Sequence, residues 1–208
     1  MNAKFVPPNN PVLRKIAKRI IPNQLDSEET KKITSIMLKK AGLNRITKKP
    51  FLVGLAAPQI GISKRIILVD VKATGKRKTK GNLQAFINPE IIWKSKNKKE
   101  WYEGCFSTGR ICGIVSRPTS IRVKGFTITP GGWKPKLLEE KYTGYVARIF
   151  QHEIDHLNGR LFMQLIKNPN HLHYVKKSEF PLYRSKQAWK NWPKKYPLPL
   201  ASLKLKKV

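Results

Sequence analysis

Residues 151–159 read QHEIDHLNG, and this stretch decides the fold of the 208-residue chain. At 3.6 residues per turn, His152 and His156 point to the same side of a helix and can bind one metal ion, while Glu153 lies beside it as a proton carrier. A histidine pair at this spacing also arises by chance in unrelated proteins. The stretch therefore indicates a metal-dependent hydrolase only if the residues around it agree.

The surrounding residues predict a helix over residues 142–158 that is buried nearly all round. Residues recur at helical spacing in two neighbouring stripes: Tyr145, Ile149, His152 and His156 in the first, and Val146, Phe150 and Leu157 in the second. Histidines and acids inside such a helix are costly unless they are paired or bind a metal. Gly159 can adopt the left-handed conformation that ends a helix.

A catalytic zinc-type site has three protein ligands and leaves a fourth position for water. The other two histidines, His171 and His173, follow the helix in a Pro- and Lys-rich segment that we expect at the surface. One of the two cysteines, Cys105, follows Gly104 in what reads as a loop leaving a strand. A lone cysteine is most often a small buried hydrophobic residue. Given the helix with two histidines, Cys105 is a better candidate for the third ligand than His171 or His173.

A further segment, VGLAAPQIG at residues 53–61, combines small residues with a single polar side chain, Gln59. Alone it reads as a core-facing loop between two elements. The order along the chain is the glycine loop, then Glu-Gly-Cys, then His-Glu-x-x-Asp-His, and with these three motifs the sequence resembles the peptide deformylases. The resemblance covers about residues 11–163, and the joint occurrence of the motifs is highly specific.

The resemblance implies an α+β fold in which short antiparallel strands pack around a central metal-binding helix. It implies a catalytic domain at residues 1–166, followed by a basic, aromatic-containing C-terminal extension at residues 167–208. The implied activity is removal of the formyl group from the N-terminal formylmethionine of new polypeptides, with release of formate. The implied cofactor is one divalent metal ion, Fe²⁺ ahead of Zn²⁺, Ni²⁺ or Co²⁺.

Carried over by position, the family's roles fall on residues of the three motifs. The implied metal ligands are Cys105, His152 and His156. Glu153 would be the general acid and base, and the Gln59 amide and the Phe106 backbone N–H would stabilise negative charge on the carbonyl oxygen. The implied substrate-binding residues are Val53, Gly54, Gly104, Tyr145 and Ile149. The substrate would add as a strand beside Val53 and Gly54, with its methionine in an apolar pocket near Phe106, Tyr145 and Ile149.

The chain departs from the family at several positions. Leu52 replaces a usual Gly, Phe106 a common Leu, Cys112 an Arg found in many bacterial members, and Ser116 a frequent Pro. These departures leave the substrate preference open. Two further residues, Glu103 and Arg117, match positions expected to pair; the alternative is that both face solvent. Asp155 would support the histidine helix.

The charge is unusual, because 43 Lys and Arg against 12 Asp and Glu give a formal net charge of +31. Either the composition has drifted toward lysine, or a cationic surface attracts ribosomal RNA through counterion release. Basic residues concentrate at 72–80, 94–99 and 176–208, and the last segment also carries Tyr183, Trp189, Trp192 and Tyr196. That segment either folds back on the domain or offers a stacking surface to RNA.

Composition bounds the class of protein further. A hydrophobic content of 40% suits one globular domain, and no apolar run reaches the roughly 18 residues that span a bilayer. Two thiols provide no disulfide framework and suit a reducing compartment. The first 24 residues are basic like a transit peptide, but their prolines break an amphipathic helix. We expect a cytoplasmic monomer that does not bind membranes.

The rest of the chain predicts a small set of further elements. Asp26 or Ser27 would cap a helix that runs to about Lys40, with Ile33, Ile36 and Met37 facing inward. Strands are predicted at 65–71, 83–88, 91–95, 114–115 and 121–126, and turns at 72–80 and 94–99.

Two other classes of protein remain open. Another His-Glu-x-x-His metallohydrolase would draw its third ligand from a downstream His or Glu, and no acid follows the helix before Glu179. The other class is an RNA- or ribosome-binding protein that keeps the deformylase fold but has lost the activity. Such a protein would be expected to have lost a site residue. This chain keeps Gln59, Cys105, His152, Glu153 and His156.

Overall fold

The computed structural model describes residues 4–42, 52–75, 82–128 and 133–196. Over these residues the chain forms three α-helices and eight β-strands. The helices are α1 (Glu28–Lys40), α2 (Gly144–Leu157) and α3 (Phe180–Arg184). The strands are β1 (Gly54–Ala56), β2 (Ile66–Asp70), β3 (Leu83–Lys94), β4 (Lys98–Gly104), β5 (Ile111–Pro118), β6 (Ser120–Ile128), β7 (Lys136–Thr143) and β8 (Leu172–Tyr174). None of these helices has the length and apolar composition that crossing a membrane requires.

The strands form two antiparallel sheets, one with the order β1-β2-β3-β6-β7 and a smaller one with the order β4-β5-β8. Alternate residues of β2 face opposite sides of the large sheet. Ile66 and Leu68 belong to the apolar cluster with Met37 of α1, whereas Ile67 belongs to the cluster with Phe150 of α2. Since α2 also contacts β5 of the small sheet, the predicted α+β fold with strands packed around a central helix is confirmed.

Both predicted helices are present. In α2, none of the residues from Tyr145 to Leu157 is exposed, and Gly159 ends the helix with a φ of 68°. α2 begins at Gly144, two residues later than predicted, because residues 142–143 still pair with β6. For α1, the Ser27 hydroxyl accepts the Thr30 N–H at 3.3 Å and forms the predicted cap.

The predicted strands lie at the right places. Those at 114–115 and 121–126 are shorter than β5 and β6, whereas the one at 65–71 is slightly longer than β2. The predicted strands 83–88 and 91–95 are one strand, β3, which ends at Lys94. Its pairing with β6 shifts between Ile87 and Glu90, where Asn88 has a φ of 50°. Lys98 and Lys99 belong to β4 and not to the predicted turn. The edge strands β1, β7 and β8 were not predicted, because their sequences are short or highly charged. β4 was predicted only as a strand that ends before Cys105, without bounds. Part of the predicted turn at 72–80 lies outside the described residues.

The C-terminal segment folds back on the domain as far as residue 196. β8 extends the small sheet beside β5, and buried Tyr183, Trp189 and Trp192 pack around Cys112 and Ile114. Their burial supplies an apolar core that the small sheet could not form alone. Residues 197–208 lie outside the described part of the chain. The division into domains at residue 166 stays a prediction.

The expectation of a surface position is wrong for His173, which is fully buried in β8. Its Nε2 lies 3.1 Å from the Asn170 carbonyl oxygen, which can only accept, and 3.4 Å from the Lys195 ammonium, which can only donate. Because the Asn170 contact is the shorter one, we assign the proton to the Nε2 of His173. Its Nδ1 accepts from the Tyr183 hydroxyl at 2.9 Å. Burial, with the nearby Lys195 ammonium, lowers the pKa of His173 to about 4. His173 is therefore a neutral structural residue that holds the C-terminal segment.

This buried histidine makes stability pH-dependent. His173 takes up a proton below about pH 6.5 in the unfolded chain, but only below about pH 4 in the folded chain. Its contribution to the free energy of unfolding is therefore complete above about pH 6.5. That contribution is lost as the pH falls from about 6.5 to about 4. The loss is on the order of 2–3 kcal/mol. Urea unfolding should measure the free energies of unfolding of the parent and of His173→Gln. The difference between these two free energies should decrease by that amount from about pH 7.5 to about pH 4. An equal gap at both pH values would contradict this account.

Candidate metal centre

Three metal-ligating side chains come together between the small sheet and α2. Cys105 follows the last residue of β4, and His152 and His156 lie one turn apart on α2. One donor atom from each side chain lies within 4.8 Å of the other two, and the Cys105 Sγ is 3.3 Å from the His156 Nε2. The structure thus brings the three predicted ligands to one point.

The donor set fits a single tetrahedral ion. Bonds of about 2.0–2.3 Å separate the ligand atoms of such an ion by about 3.3–3.8 Å, and the 3.3 Å between the Cys105 Sγ and the His156 Nε2 lies in this range. The His152 Nδ1 is 2.9 Å from the Glu103 Oε2, which leaves Nε2 for a metal. Two buried polar atoms at the site, the Glu153 Oε2 and the His156 Nδ1, have no hydrogen bond among the described residues. One thiolate and two imidazoles are a donor set for a divalent transition metal.

The electrostatics of the site favour a thiolate. Burial would raise the pKa of Cys105, but the charge of His156 and hydrogen bonds with both histidines hold it well below its usual range. Burial likewise opposes protonation of His152, yet hydrogen bonds with Cys105 and Glu103 raise its pKa well above its usual value. A thiolate is the form of cysteine that binds metals, and a bound cation would replace the proton that His152 shares with it.

Glu153 lies next to the three candidate ligands, and one of its carboxylate oxygens has no hydrogen bond among the described residues. Burial raises its pKa to about 7, against the opposing effect of the two histidines. A carboxyl group with a pKa near neutral can both take and return a proton. Gly54 of β1 approaches it so closely that an added Cβ would lie 2.5 Å from the Glu153 Oε1.

The orientation of Gln59 is fixed by its hydrogen bonds. Its Oε1 accepts the Ala56 N–H at 2.7 Å. Its Nε2 therefore faces Cys105, with 3.0 Å to the Sγ and 3.4 Å to the Ser107 Oγ. The amide thus directs a donor into the site, where it can meet a developing oxyanion. Ser107, which sequence reasoning missed, follows the cysteine by two residues and also donates its backbone N–H to the Sγ at 3.4 Å.

Behind the ligands, Glu103 accepts hydrogen bonds from two arginines and His152. Arg117 donates from Nε at 2.6 Å and from Nη2 at 2.9 Å, and its Nη1 donates to Asp155 at 2.7 Å. The predicted pairing of Glu103 with Arg117 is confirmed, and both are buried. Burial would raise the pKa of Glu103, but Arg117 and His152 hold it far below its usual range. The second arginine, Arg148, was not predicted, although its position four residues before His152 places it on the same helix face.

The predicted substrate residues are not all brought together. Ile149 contacts the Gly54 region, and Val53 is partly exposed. Phe106 is exposed and stacks on Phe5 with ring centroids 4.9 Å apart. A cavity of about 190 Å³ adjoins Tyr145 without Phe106 or Ile149 among its lining residues; Trp101, Arg117 and Arg148 contribute to its walls. Gly104 is needed for packing, because a Cβ there would lie 2.7 Å from the Cys112 Sγ.

Gly54→Ala is expected to lower kcat/KM by about 10²-fold, because the new methyl group would displace Glu153 and a misplacement of about 1 Å has that effect. An assay of the hydrolysis that the sequence predicts, together with thermal unfolding, measures it. Gly144→Ala is the control, since its Cβ would meet nothing within 4 Å, although its φ of 59° adds backbone strain. Activity of Gly54→Ala equal to that of the control would show that the close approach to Glu153 is unimportant.

Comparison with known proteins shows where this arrangement belongs. The sequence model of a family described as polypeptide deformylase matches residues 3–171. The chain belongs to the polypeptide deformylase family. Relatives that are named peptide deformylases resemble it in both sequence and structure.

Curated deformylases resemble the chain over different lengths. That of Halothermothrix orenii is 41% identical over 157 residues, which are 76% of this chain and 88% of that protein. That of Carboxydothermus hydrogenoformans is 40% identical over 79% of this chain and 93% of that protein. That of Polynucleobacter necessarius is 40% identical over 55% of this chain, and the match spans 61% of that protein, less than two thirds of its length.

Solved deformylase structures have the same fold. The enzyme of Thermotoga maritima superimposes with a TM-score of 0.64 at 33% identity, over 81% of this chain and 99% of that one. A class I type b deformylase of Acinetobacter baumannii, with Met-Ala-Ser bound, superimposes with a TM-score of 0.65 at 30% identity, over 80% of this chain and 99% of that one.

Proposed function

We propose that this deformylase binds one divalent cation through Cys105, His152 and His156 and uses it to hydrolyse the formyl group of formylmethionyl peptides. The observation that carries the proposal is the convergence of the three donor atoms within 4.8 Å, with Glu153 adjoining them in sequence and space. A bound cation would polarise the formyl carbonyl and make hydroxide available near neutral pH. A thiolate with two imidazoles accepts ferrous iron, zinc, nickel or cobalt. Ferrous iron is our first choice, as the resemblance to the deformylases implies.

Glu153 is the proposed general acid and base. Its unpartnered carboxylate oxygen is buried next to the site, so it is available to accept a proton from the attacking water. The same group then returns the proton to the departing amine of the peptide. Its pKa near 7 suits both steps.

Gln59 and the backbone N–H of Phe106 are the proposed donors to the carbonyl oxygen. The Gln59 amide is aimed at the site because the Ala56 N–H occupies its carbonyl oxygen. Donors of this kind stabilise the charge that gathers on the oxygen as the formyl carbon is attacked, and losing one typically costs about 2.7–4 kcal/mol.

The edge of β1 is the proposed docking place for the peptide. Among the described strands, β1 pairs with β2 alone, so its other edge can accept an extended chain beside Val53 and Gly54. Tyr145, Ile149 and Gly104 complete the proposed substrate-binding set. The Acinetobacter baumannii relative with Met-Ala-Ser bound supports a peptide ligand for this fold.

Formate release tests the proposal. Protein purified without oxygen and loaded with Fe²⁺ should release formate from formyl-Met-Ala-Ser, and acetyl-Met-Ala-Ser should stay intact as the matched control peptide. Removing the metal with a chelator should stop the reaction, and added Fe²⁺ should restore it. No turnover by the metal-loaded protein would favour an RNA- or ribosome-binding protein that keeps the fold without the activity. Cleavage of internal peptide bonds would favour a His-Glu-x-x-His peptidase.

We also propose that the C-terminal segment attracts ribosomal RNA. Its inner aromatic residues are buried, while its basic residues between 176 and 196 are all exposed: Lys176, Lys177, Arg184, Lys186, Lys190, Lys194 and Lys195. Glu179 is the single acid of this segment. Binding to ribosomes should weaken steeply with salt, as counterion release requires; binding insensitive to salt would overturn this proposal. We place the enzyme in the cytoplasm as a monomer, which fractionation and sedimentation would check.

A further inference from the structure

The metal ligands come from two different parts of the fold, so something must fix the distance between them. Cys105 is attached to β4 of the small sheet, and both histidines are on α2. The sheet that contains β4 and the sheet on which α2 packs share no strand pairing among the described residues. The spacing of sulfur and imidazoles therefore depends on side-chain contacts between α2 and the small sheet.

Arg148 makes the most extensive of these contacts. It lies one turn before His152 on α2 and is buried. Its Nη1 donates to the Glu103 Oε1 at 2.6 Å and to the Val115 carbonyl oxygen at 3.1 Å, and its Nη2 donates to the Lys99 carbonyl oxygen at 2.6 Å. One guanidinium thus binds the backbone of both β4 and β5 as well as the carboxylate two residues before Cys105.

Arg117 cannot replace this contact. It comes from β5, and it holds Glu103 and reaches α2 only through Asp155. That link joins the far end of the helix, three residues after His152. Without Arg148, the turn of α2 before the first histidine would lose its polar bond to the backbone of β4.

We propose that Arg148 is a positioning residue that sets the distance between Cys105 and the two histidines by binding β4 and β5 to α2. The inference rests on the proposed metal-binding function. Arg148 touches neither the metal ligands nor the reacting atoms, and acts through Glu103 and the two carbonyl groups. Groups that orient ligands in this way commonly change metal affinity by about 10–100-fold when they are removed.

Metal binding tests the inference without relying on activity. Arg148→Met keeps most of the side-chain volume and removes every hydrogen bond, and Arg148→Lys keeps the charge with one donor group. Competition titration with a chelator should show Co²⁺ affinity about 10–100-fold lower in Arg148→Met and less reduced in Arg148→Lys. The thiolate-to-cobalt absorption band should shift or weaken in the same order, since it reports the sulfur–metal geometry.

Arg160→Met is the matched control. Arg160 lies just after the same helix and is exposed, and its side chain approaches the Asp155 carboxylate only at 3.9 Å. Its Co²⁺ affinity and absorption spectrum should equal those of the parent. Circular dichroism of the metal-free proteins separates misfolding from mispositioning, and Arg148→Lys serves if Arg148→Met does not fold.

The outcomes separate this inference from the proposed function. A parent protein that binds no metal through Cys105 and the histidines would overturn both. A parent that binds metal and releases formate, beside folded Arg148 variants with unchanged affinity and spectrum, would overturn the role of Arg148 alone.

Discussion

Glu153→Gln is expected to lower formate release by about 10²–10⁴-fold, the contribution usual for a general acid and base, while one metal ion per chain stays bound. Glutamine has the size of glutamate, so the packing beside Gly54 is retained. Its amide cannot accept a proton from water. The three donor atoms of the proposed site belong to other residues, so metal content should not change.

The physical basis is the position of the Glu153 carboxylate. It is buried, one oxygen has no partner among the described residues, and burial raises its pKa to about 7. A structural carboxylate in this protein looks different: Asp155, two residues later, is bound by Arg117 at 2.7 Å. A group with a free oxygen and a pKa near neutral is suited to proton transfer, whereas a paired one is not.

Asp155→Asn is therefore the matched control for Glu153→Gln. It makes the same chemical change on the same helix, and should reduce kcat far less, because it weakens a support of Arg117 and removes no proton carrier. Metal analysis and formate assays on both variants decide the matter. Equal losses in the two variants, or full kcat in Glu153→Gln, would assign the proton transfer elsewhere.

The sequence was sufficient for the part of the site that depends on local geometry. Because the helical repeat places residues four apart on one face, the spacing of His152 and His156 is enough to place them together. Cys105 is 47 residues away from the first histidine, and no spacing rule links the two. Its place depended on the order of motifs shared with the deformylases.

The remaining features depend on contacts between distant segments. The start of β4, Lys98 and Lys99, reads as part of a charged turn because the apolar partners of this strand are not local: Trp101 and Tyr102 contact Trp189 of the C-terminal segment. His173 seemed a surface residue for the same reason, since Tyr183 and the small sheet bury it. Arg148 has an ordinary place on α2, and only the fold reveals that Glu103 lies within hydrogen-bonding distance.

Cys105→Ala is expected to abolish stoichiometric metal binding and, with it, formate release. Two imidazoles without a thiolate leave a two-ligand site, fewer than the three protein ligands that catalytic sites of this kind have. The loss should exceed that of Glu153→Gln, which keeps the metal and its effect on water. Elemental analysis after gel filtration, together with the formate assay, measures both quantities.

Cys112→Ala is the matched control, because Cys112 is the only other cysteine of the chain. It is fully buried beside Gly104, and burial raises its pKa to about 12, so it is a neutral packing residue. Its replacement should lower the free energy of unfolding by roughly 1 kcal/mol through the lost volume and leave metal content unchanged. Peroxide should inactivate the parent and Cys112→Ala alike, since oxidation of the Cys105 thiolate removes a ligand. Stoichiometric metal and formate release in Cys105→Ala would show that the sulfur is not a ligand, and the proposed centre would then have to be built from other donors.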